Sequence, residues 1–581
     1  MTELILGPML RYVSQTEATV WVETEAPCEV EVLGRGDRTF CIDGHHYALV
    51  CLTDLEPGSS QEYEVTLDGE RVWPLDDGFP PSVLRTVSSD GRMRVVFGSC
   101  RVAVPHHPPY TLTKDEDPEH GREIDALYAL AMRMRELPVE EWPDILLMIG
   151  DQVYADEDAP ETRQFIRERR GTDGEPGDEV ADFEEYARLY RETWGEQAIR
   201  WLLSVVPAAM IFDDHDVHDD WNTSISWLEE MRAKSWWDRR ITGALASYWV
   251  YQHLGNLSPD EIERRGVLAH VRSEADAGHA LHEWARDVDW GSEGRRWSFS
   301  RELGDVRLVM LDSREGRILG ERPRRMFDDE EWEWLEAVIT GDVRHLLIAD
   351  TLPIFLPQAI HNLESWNDAV AAGAWTGALK GLGERIRRAL DLEHWGAFPH
   401  SFERMLELIR AAGSGKRGHP PVSIVTLGGD IHHAYLAKVD FPDRDGVVNP
   451  VWQAVCSPFR NALSKRERRV ARAGDSRLAR AITSGLARSA GVELPEVEWR
   501  LEQEPTFDHQ FATIDIDGDR VDLRIEKTVP GESGAVPGSK PLCSAASPRP
   551  GPPPCPRPWP RARGPAFRPD RRDPAPGAPA R

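Results

Sequence analysis

The feature that most limits how this chain can fold is a series of seven short apolar runs between Arg92 and Pro458. They read MRVVFGSC, PDILLMIGD, PAAMIFDDHD, DVRLVMLDSR, RHLLIADTLP, VSIVTLGGDIHH and VWQAVCSP. Each is too short for a helix and is dense in Val, Ile, Leu and Met. Long stretches of helical pattern separate most of them. Near-continuous apolar strands are buried on both faces, which requires an α/β or layered sandwich fold. Most of the runs end in Cys, Asp, His or Arg. Open α/β sheets place their sites at these C-terminal strand ends.

The flanking segments read differently. Residues 1–90 alternate apolar and polar positions, as in ATVWVETE and CEVEVLG, with Pro-Gly and Asp-Gly turns between short strands. This pattern predicts an N-terminal β-sandwich, whose simplest role is a passive cover. Residues 91–528 form the α/β domain and close on a hairpin, FATIDIDGDRVDLRIE, with an Asp-Gly turn. Residues 529–581 are crowded with Pro, Gly, Ala and Arg and are expected to be a disordered tail. The helical stretches 225–300 and 360–415 are rich in Trp, including SWWDRR. Core packing is the expected role of these indoles, rather than a base-stacking platform.

Charge narrows the function. The formal net charge is −30, with +6 in the segment from Gly531 and −36 in the rest. Such a body repels polyanions, which argues against nucleic acid as a partner. An anionic substrate would need a local positive centre, and bound metal is the obvious supply. Seven Cys without a C-x-x-C pair do not form a disulfide framework. The opening MTELILGPMLRYVSQ has no basic region followed by an apolar stretch, so it reads as the start of a folded domain. No run is long enough to span a membrane. The expected location is the cytoplasm, and the expected partner is a small molecule rather than a membrane.

Several catalytic routes fail on single residues. RAAGSGKRG resembles a phosphate loop, but Arg410 stands at its first Gly and Arg417 after Lys416. HEWAR at His282 lacks the second His of a zincin helix, and no G-x-S-x-G elbow is present.

Four blocks survive, each closing an apolar run: GSCR with Cys100; GDQVYADE with Asp151 and Tyr154; FDDHDVHDDWN with Asp213, Asp214, His215 and Asp216; and GGDIHHAY with Asp430, His432 and His433. A carboxylate in a G-D turn, such as Asp151, is placed to bridge two cations. Metals about 3.5–4 Å apart can clamp both the attacking and leaving oxygens of a phosphoryl transfer. Tyr154, three residues on, can return to the same centre. A phenol ligates only a strong Lewis acid, which points to a trivalent ion such as iron(III), and Cys100 could add a thiolate.

In their order GSC, GD-x-x-Y, DDHD and GD-x-HH, these blocks resemble the alkaline phosphatase D (PhoD-like) family of metallophosphoesterases. The resemblance covers roughly residues 1–525. It implies an α/β (α+β) fold, an N-terminal β-sandwich followed by a four-layer αββα core. It also implies metal-dependent hydrolysis of phosphate esters by a metal-activated hydroxide, at a centre of iron and calcium, with zinc or manganese as alternatives. Carried across by position, Cys100, Asp151, Tyr154 and His432 hold the iron-like site. Asp151 bridges to a second metal held by Asp214 and Asp430, and His215 protonates the leaving oxygen. Arg101 and Arg314 are candidate phosphate clamps, since guanidinium suits bidentate contact with phosphate. His433 is expected to pack around His432. Two other readings stay open: a non-catalytic binding protein on a degenerate scaffold, and another metal-assisted ester hydrolase. Monoester or diester preference and oligomeric state are left open.

Overall fold

The computed structural model describes residues 2–529 and 538–546, apart from Asp77, Asp158, 292–295, Glu321, Ser464 and Asp475. Two mixed β-sheets form the centre. The first runs in the order Ala208–Ile211, Ile145–Ile149, Arg92–Gly98, Gln510–Asp517, Arg520–Val529, Gly538–Ala546. Its first three strands are parallel and its last three antiparallel. The second has seven strands around the parallel set Val306–Leu311, His345–Asp350, Ser423–Gly428 and Val451–Val455.

Every residue of Ile145–Ile149, Ala208–Ile211, His345–Asp350 and Ser423–Gly428 is buried, as their apolar runs predicted. Strand pleating explains how both faces are used. Leu308, Met310, Leu347, Ala349, Val425 and Leu427 face inward and share a core with Val95, Val96 and Phe97 of the other sheet. Their chain neighbours Val309, Leu311, Leu346, Ile348 and Ile424 face outward, under Trp332 and Leu335 of the helix Asp329–Val338 and Phe402, Met405 and Ile409 of the helix Pro399–Gly413. Helices Ala126–Arg135 and Gln197–Val205 belong to the core around the first sheet. Each such buried side chain contributes about 1.5–3 kcal/mol, so the two-faced burial fixes the layering. The result is the helix–sheet–sheet–helix order that the family resemblance implies.

The N-terminal segment forms two four-stranded sheets with their own core, which includes Val20, Val22, Val30, Val50 and Trp73. It is more than a cover. Arg11 is fully buried and donates to the carbonyls of Tyr251 (2.7 Å) and Gln252 (2.6 Å) and to that of Ala208 in the α/β core. Tyr63 donates to the Ser204 carbonyl at 2.7 Å.

The hairpin expected near the end is present as Gln510–Asp517 paired with Arg520–Val529. Beyond it the structure departs from expectation. Gly538–Ala546, assigned from composition to a disordered tail, pairs antiparallel with Arg520–Val529 as the last strand of the first sheet. The physical reason is an open strand edge, whose unpaired backbone groups accept any extended segment within reach. The remainder of the expected tail, from 547, lies outside the described residues. Most indoles of the two Trp-rich stretches are core as predicted, with Trp227, Trp237, Trp249, Trp297 and Trp395 at most 2% exposed, whereas Trp290 and Trp375 are exposed. Among the described residues, no helix is long and apolar enough to cross a membrane.

Candidate functional site

The four sequence blocks converge. One ligand atom each from Cys100, Asp151 and His432 lie within 4.8 Å of one another. The same holds for Asp151, Asp214 and His215, and for Asp151, Asp213, Asp214 and Asp430. Asp151 is common to all three groups. Tyr154 donates its hydroxyl to Asp151 Oδ2 at 3.2 Å, so the three-residue spacing does return the phenol to the centre.

Local backbone explains the convergence. Cys100, Asp151, Asp430 and His432 all have positive φ, between 47° and 61°. This conformation is uncommon for side-chain-bearing residues and typically costs about 1–3 kcal/mol each. Each turns the chain sharply at or just beyond a strand end, aiming the side chain across the rim. The blocks also bind one another. The Cys100 N–H donates to the Gly150 carbonyl (3.3 Å), the Asp430 N–H to Ser99 Oγ (3.0 Å), and the Cys100 thiol to the Asp430 carbonyl (3.3 Å). Glycine is required where they touch. A Cβ on Gly150 would lie 2.4 Å from Thr351 Oγ1, and one on Gly429 would lie 2.5 Å from the Ile149 carbonyl oxygen.

The electrostatics are those of a site built for cations. Burial, then the neighbouring Asp213, pushes the Asp151 carboxyl well above its ordinary value. Burial and Asp151 do the same to the Tyr154 phenol, and burial with Asp151 and Asp430 to the Cys100 thiol. Asp151 Oδ1 and Asp214 Oδ1 are buried and accept no hydrogen bond. Buried acceptors without donors are costly, and a bound cation both satisfies them and reverses the shifts. The donor set of thiol, phenol, imidazole and carboxylates therefore fits metal ions.

A pH dependence follows for metal-free protein. Burial raises Asp216 to about 7, Asp219 to about 7 and Asp220 to about 8. A carboxyl whose folded value is raised contributes stability that is present at low pH and lost as pH rises through that value. Chelated protein should therefore melt at progressively lower temperature from about pH 4 to about pH 8. Thermal melts in chelator check this; a melting temperature that climbs over that range would contradict it.

His215 sits where a proton donor is useful. Its Nδ1 lies 2.9 Å from Asp156 Oδ1, and its ring stacks on Tyr154 at 4.6 Å. Burial alone would lower the imidazole, but Asp156 and Asp214 lift it well above its ordinary value. Asp156, inside the GDQVYADE block, was not singled out by sequence. Its signal was only proximity to the candidate ligand Asp151.

The two candidate arginines part company. Arg314 is fully buried within the acidic cluster, bonded through Nε to Asp213 and through Nη1 to Glu393. Its Nη2 lies 3.5 Å from Asp214 and 3.7 Å from Asp430. Arg101 does not face the cluster's carboxylates. It is 3% exposed, donates to Asp125 at 2.7 Å and to the Thr193 carbonyl at 2.6 Å, and holds the residue that caps the helix Ala126–Arg135. The phosphate-clamp expectation for Arg101 is therefore replaced by a structural ion pair, because a buried guanidinium is already satisfied there. His433 packs on Phe507 at 5.5 Å with Nδ1 2.7 Å from the Ile431 carbonyl, beside His432 as expected.

Sequence reasoning missed one arm of the site. His394 places Nε2 3.0 Å from Asp430 Oδ2 and Nδ1 2.8 Å from Glu364 Oε1. Burial pushes Asp430 up, but the His394 hydrogen bond and the charges of His394 and Arg314 pull it below the usual carboxylate range. No local motif announces His394; it reaches the site from a helical stretch of the chain read as core packing.

Known proteins place this arrangement. A family model described as a domain of unknown function matches residues 1–84, and one described as PhoD-like phosphatase matches residues 126–487, well over half the chain. A solved structure described as "Structure of PhoD" shares the fold, with a TM-score of 0.56 at 13% identity, covering 94% of this chain and 90% of that one. No curated protein matches the chain. The chain belongs to the PhoD-like phosphatase family and is a phosphoester hydrolase.

Proposed function

We propose that the protein hydrolyses small-molecule phosphate esters at a metal centre held by the converging strand ends. The observation that carries this reading is the sharing of Asp151 by three groups of ligand-type atoms, with Asp151 Oδ1 and Asp214 Oδ1 buried and without a hydrogen bond. Cys100, Asp151, Tyr154 and His432 would hold an iron(III)-like ion, since thiolate and phenolate suit a strong Lewis acid. Asp151 would bridge to a second ion, calcium in the first instance, with Asp213, Asp214 and Asp430 around it. When bound, such a centre supplies Lewis-acid activation of water and of the phosphoryl group.

The chain's own residues do the rest. Asp156 takes the Nδ1 proton of His215 as a hydrogen bond and keeps the ring protonated, and Tyr154 holds the ring plane by stacking. That leaves Nε2 as the atom that delivers a proton to the leaving alkoxide. Arg314 and His394 hold Asp213, Asp214 and Asp430 in place while partly balancing their charge. The acidic surface favours a small substrate over a polyanion. The free thiols Cys28, Cys41, Cys51, Cys100 and Cys456 agree with a reducing compartment, the cytoplasm.

The test is elemental analysis of purified protein together with hydrolysis of p-nitrophenyl phosphate and its bis ester. Iron with calcium, and activity lost on chelation and restored by metal, are expected. Hydrolysis undiminished in fully chelated protein would overturn the metal role. His215→Ala should lower kcat by about 10²–10⁴ while metal content is unchanged. If the variant loses its metal, His215 is a ligand rather than the proton donor.

A further inference from the structure

A second cavity, of about 460 Å³, lies apart from the acidic cluster, with none of the candidate ligands in its walls. That volume is in the range of small-molecule sites, about 300–1,000 Å³. Its walls are aromatic and aliphatic, with Trp249, Trp284 and Trp297 among them, and two arginines, Arg265 and Arg296. One wall is a π-helical turn, Trp249–His253, inserted after the helix Trp237–Tyr248. Such turns interrupt regular helices and occur often at functional sites.

The polar groups around this cavity are unbalanced in one direction. Arg265 Nη1 donates to His253 Nε2 at 3.1 Å and to the Arg296 carbonyl at 2.8 Å. Burial, with the charges of Arg265 and Arg296, pulls His253 well below its ordinary value, so the ring is neutral. With Nε2 accepting, the proton is on Nδ1, and that donor has no partner. Trp297 Nε1 and Arg265 Nη2 are also buried without a hydrogen bond. The unpartnered atoms of these lining residues are thus all donors. Each guanidinium has one carboxylate at ion-pair distance but beyond hydrogen-bond reach: Glu261 Oε1 is 3.9 Å from Arg265 Nη2, and Glu331 Oε2 is 3.9 Å from Arg296 Nε. Unused donors and two guanidiniums around an apolar hollow call for an acceptor-rich, negatively charged group on an apolar body.

We infer that this cavity is a binding site for an organic anion with a flat apolar body, its rings against Trp249, Trp284 and Trp297 and its anionic group on Arg265 and Arg296. It is a second site, independent of the phosphoester-hydrolysing centre.

The probe is 8-anilinonaphthalene-1-sulfonate, read by fluorescence on the intact protein, with the uncharged N-phenyl-1-naphthylamine for comparison. One saturable site is expected, weakened about tenfold or more in the double variant R265Q/R296Q, as for loss of charge-assisted hydrogen bonds. The uncharged analogue should bind R265Q/R296Q and the unsubstituted protein alike. Equal sulfonate affinity in R265Q/R296Q and the unsubstituted protein would overturn the anion site. Val267, a partly exposed lining residue, gives a second test that touches neither arginine. Val267→Trp should abolish sulfonate binding while the circular dichroism spectrum and phosphoester hydrolysis stay as they were. Undiminished binding to a folded Val267→Trp variant would place the probe elsewhere and overturn the inference.

Discussion

Asp151→Asn abolishes turnover and metal retention together: a fall in kcat/KM of at least about three orders of magnitude is expected, with metal content reduced in parallel. Asp151 belongs to every group of ligand-type atoms in the cluster, so no neighbour can take its place. The amide keeps the shape and removes the charge. That choice separates two effects that a smaller residue would mix. In the metal-free state burial and the neighbouring Asp213 push the Asp151 carboxyl up, so the fold bears the cost of suppressing its ionisation. The amide has no such cost, so chelated Asp151→Asn should melt at a higher temperature than the chelated parent. With metal present the order should reverse. Full activity in Asp151→Asn would mean that the centre is assembled elsewhere.

The largest stability effect is expected at Arg314. Its guanidinium is fully buried, bonded to Asp213 and Glu393 and close to Asp214 and Asp430. Arg314→Met keeps the length of the side chain but strands these carboxylates without a counter-charge. Removing one partner of a buried ion pair costs about 3–5 kcal/mol, mostly from the charge left behind. Chemical denaturation in chelator should show a loss of that size. Saturating calcium should recover part of it, because a cation in the cluster replaces the missing positive charge. A change within about 0.5 kcal/mol, the range of ordinary surface substitutions, would mean that the carboxylates are protonated rather than paired.

Much of this was legible before the structure. The apolar runs fixed the buried strands because an unbroken row of Val, Ile and Leu has only one stable environment, a sheet covered on both faces. Cys100, Asp151, Tyr154, Asp214, Asp430 and His432 stood out because each follows such a run. What was not legible depends on distance in space. His394, in a bend between helices, and Glu364, in the helix Gln358–Ala372, end no apolar run, yet His394 meets Asp430 across the fold and is held there by Glu364. Arg101 looked suited to phosphate because a guanidinium makes bidentate contact with phosphate oxygens. Its direction is decided by Asp125, 24 residues further along, which no spacing rule anticipates. The strand Gly538–Ala546 was hidden by its Pro, Gly and Ser content, since composition cannot reveal a neighbouring sheet edge.

The buried Arg11 bears on how such a chain can be divided. Family boundaries treat residues 1–84 and 126–487 as separate inherited pieces. The guanidinium of Arg11, however, satisfies carbonyls at Ala208, Tyr251 and Gln252 that face no water, and Arg301 returns a hydrogen bond to the Arg11 carbonyl. The described residues accordingly form one compact unit. Cutting the chain between the pieces would leave buried acceptors bare on one fragment and a buried cation bare on the other. The two matched pieces are therefore expected to melt together. Such shared buried hydrogen bonds make one cooperative unit of both, with the sandwich acting as a folding partner of the α/β layers.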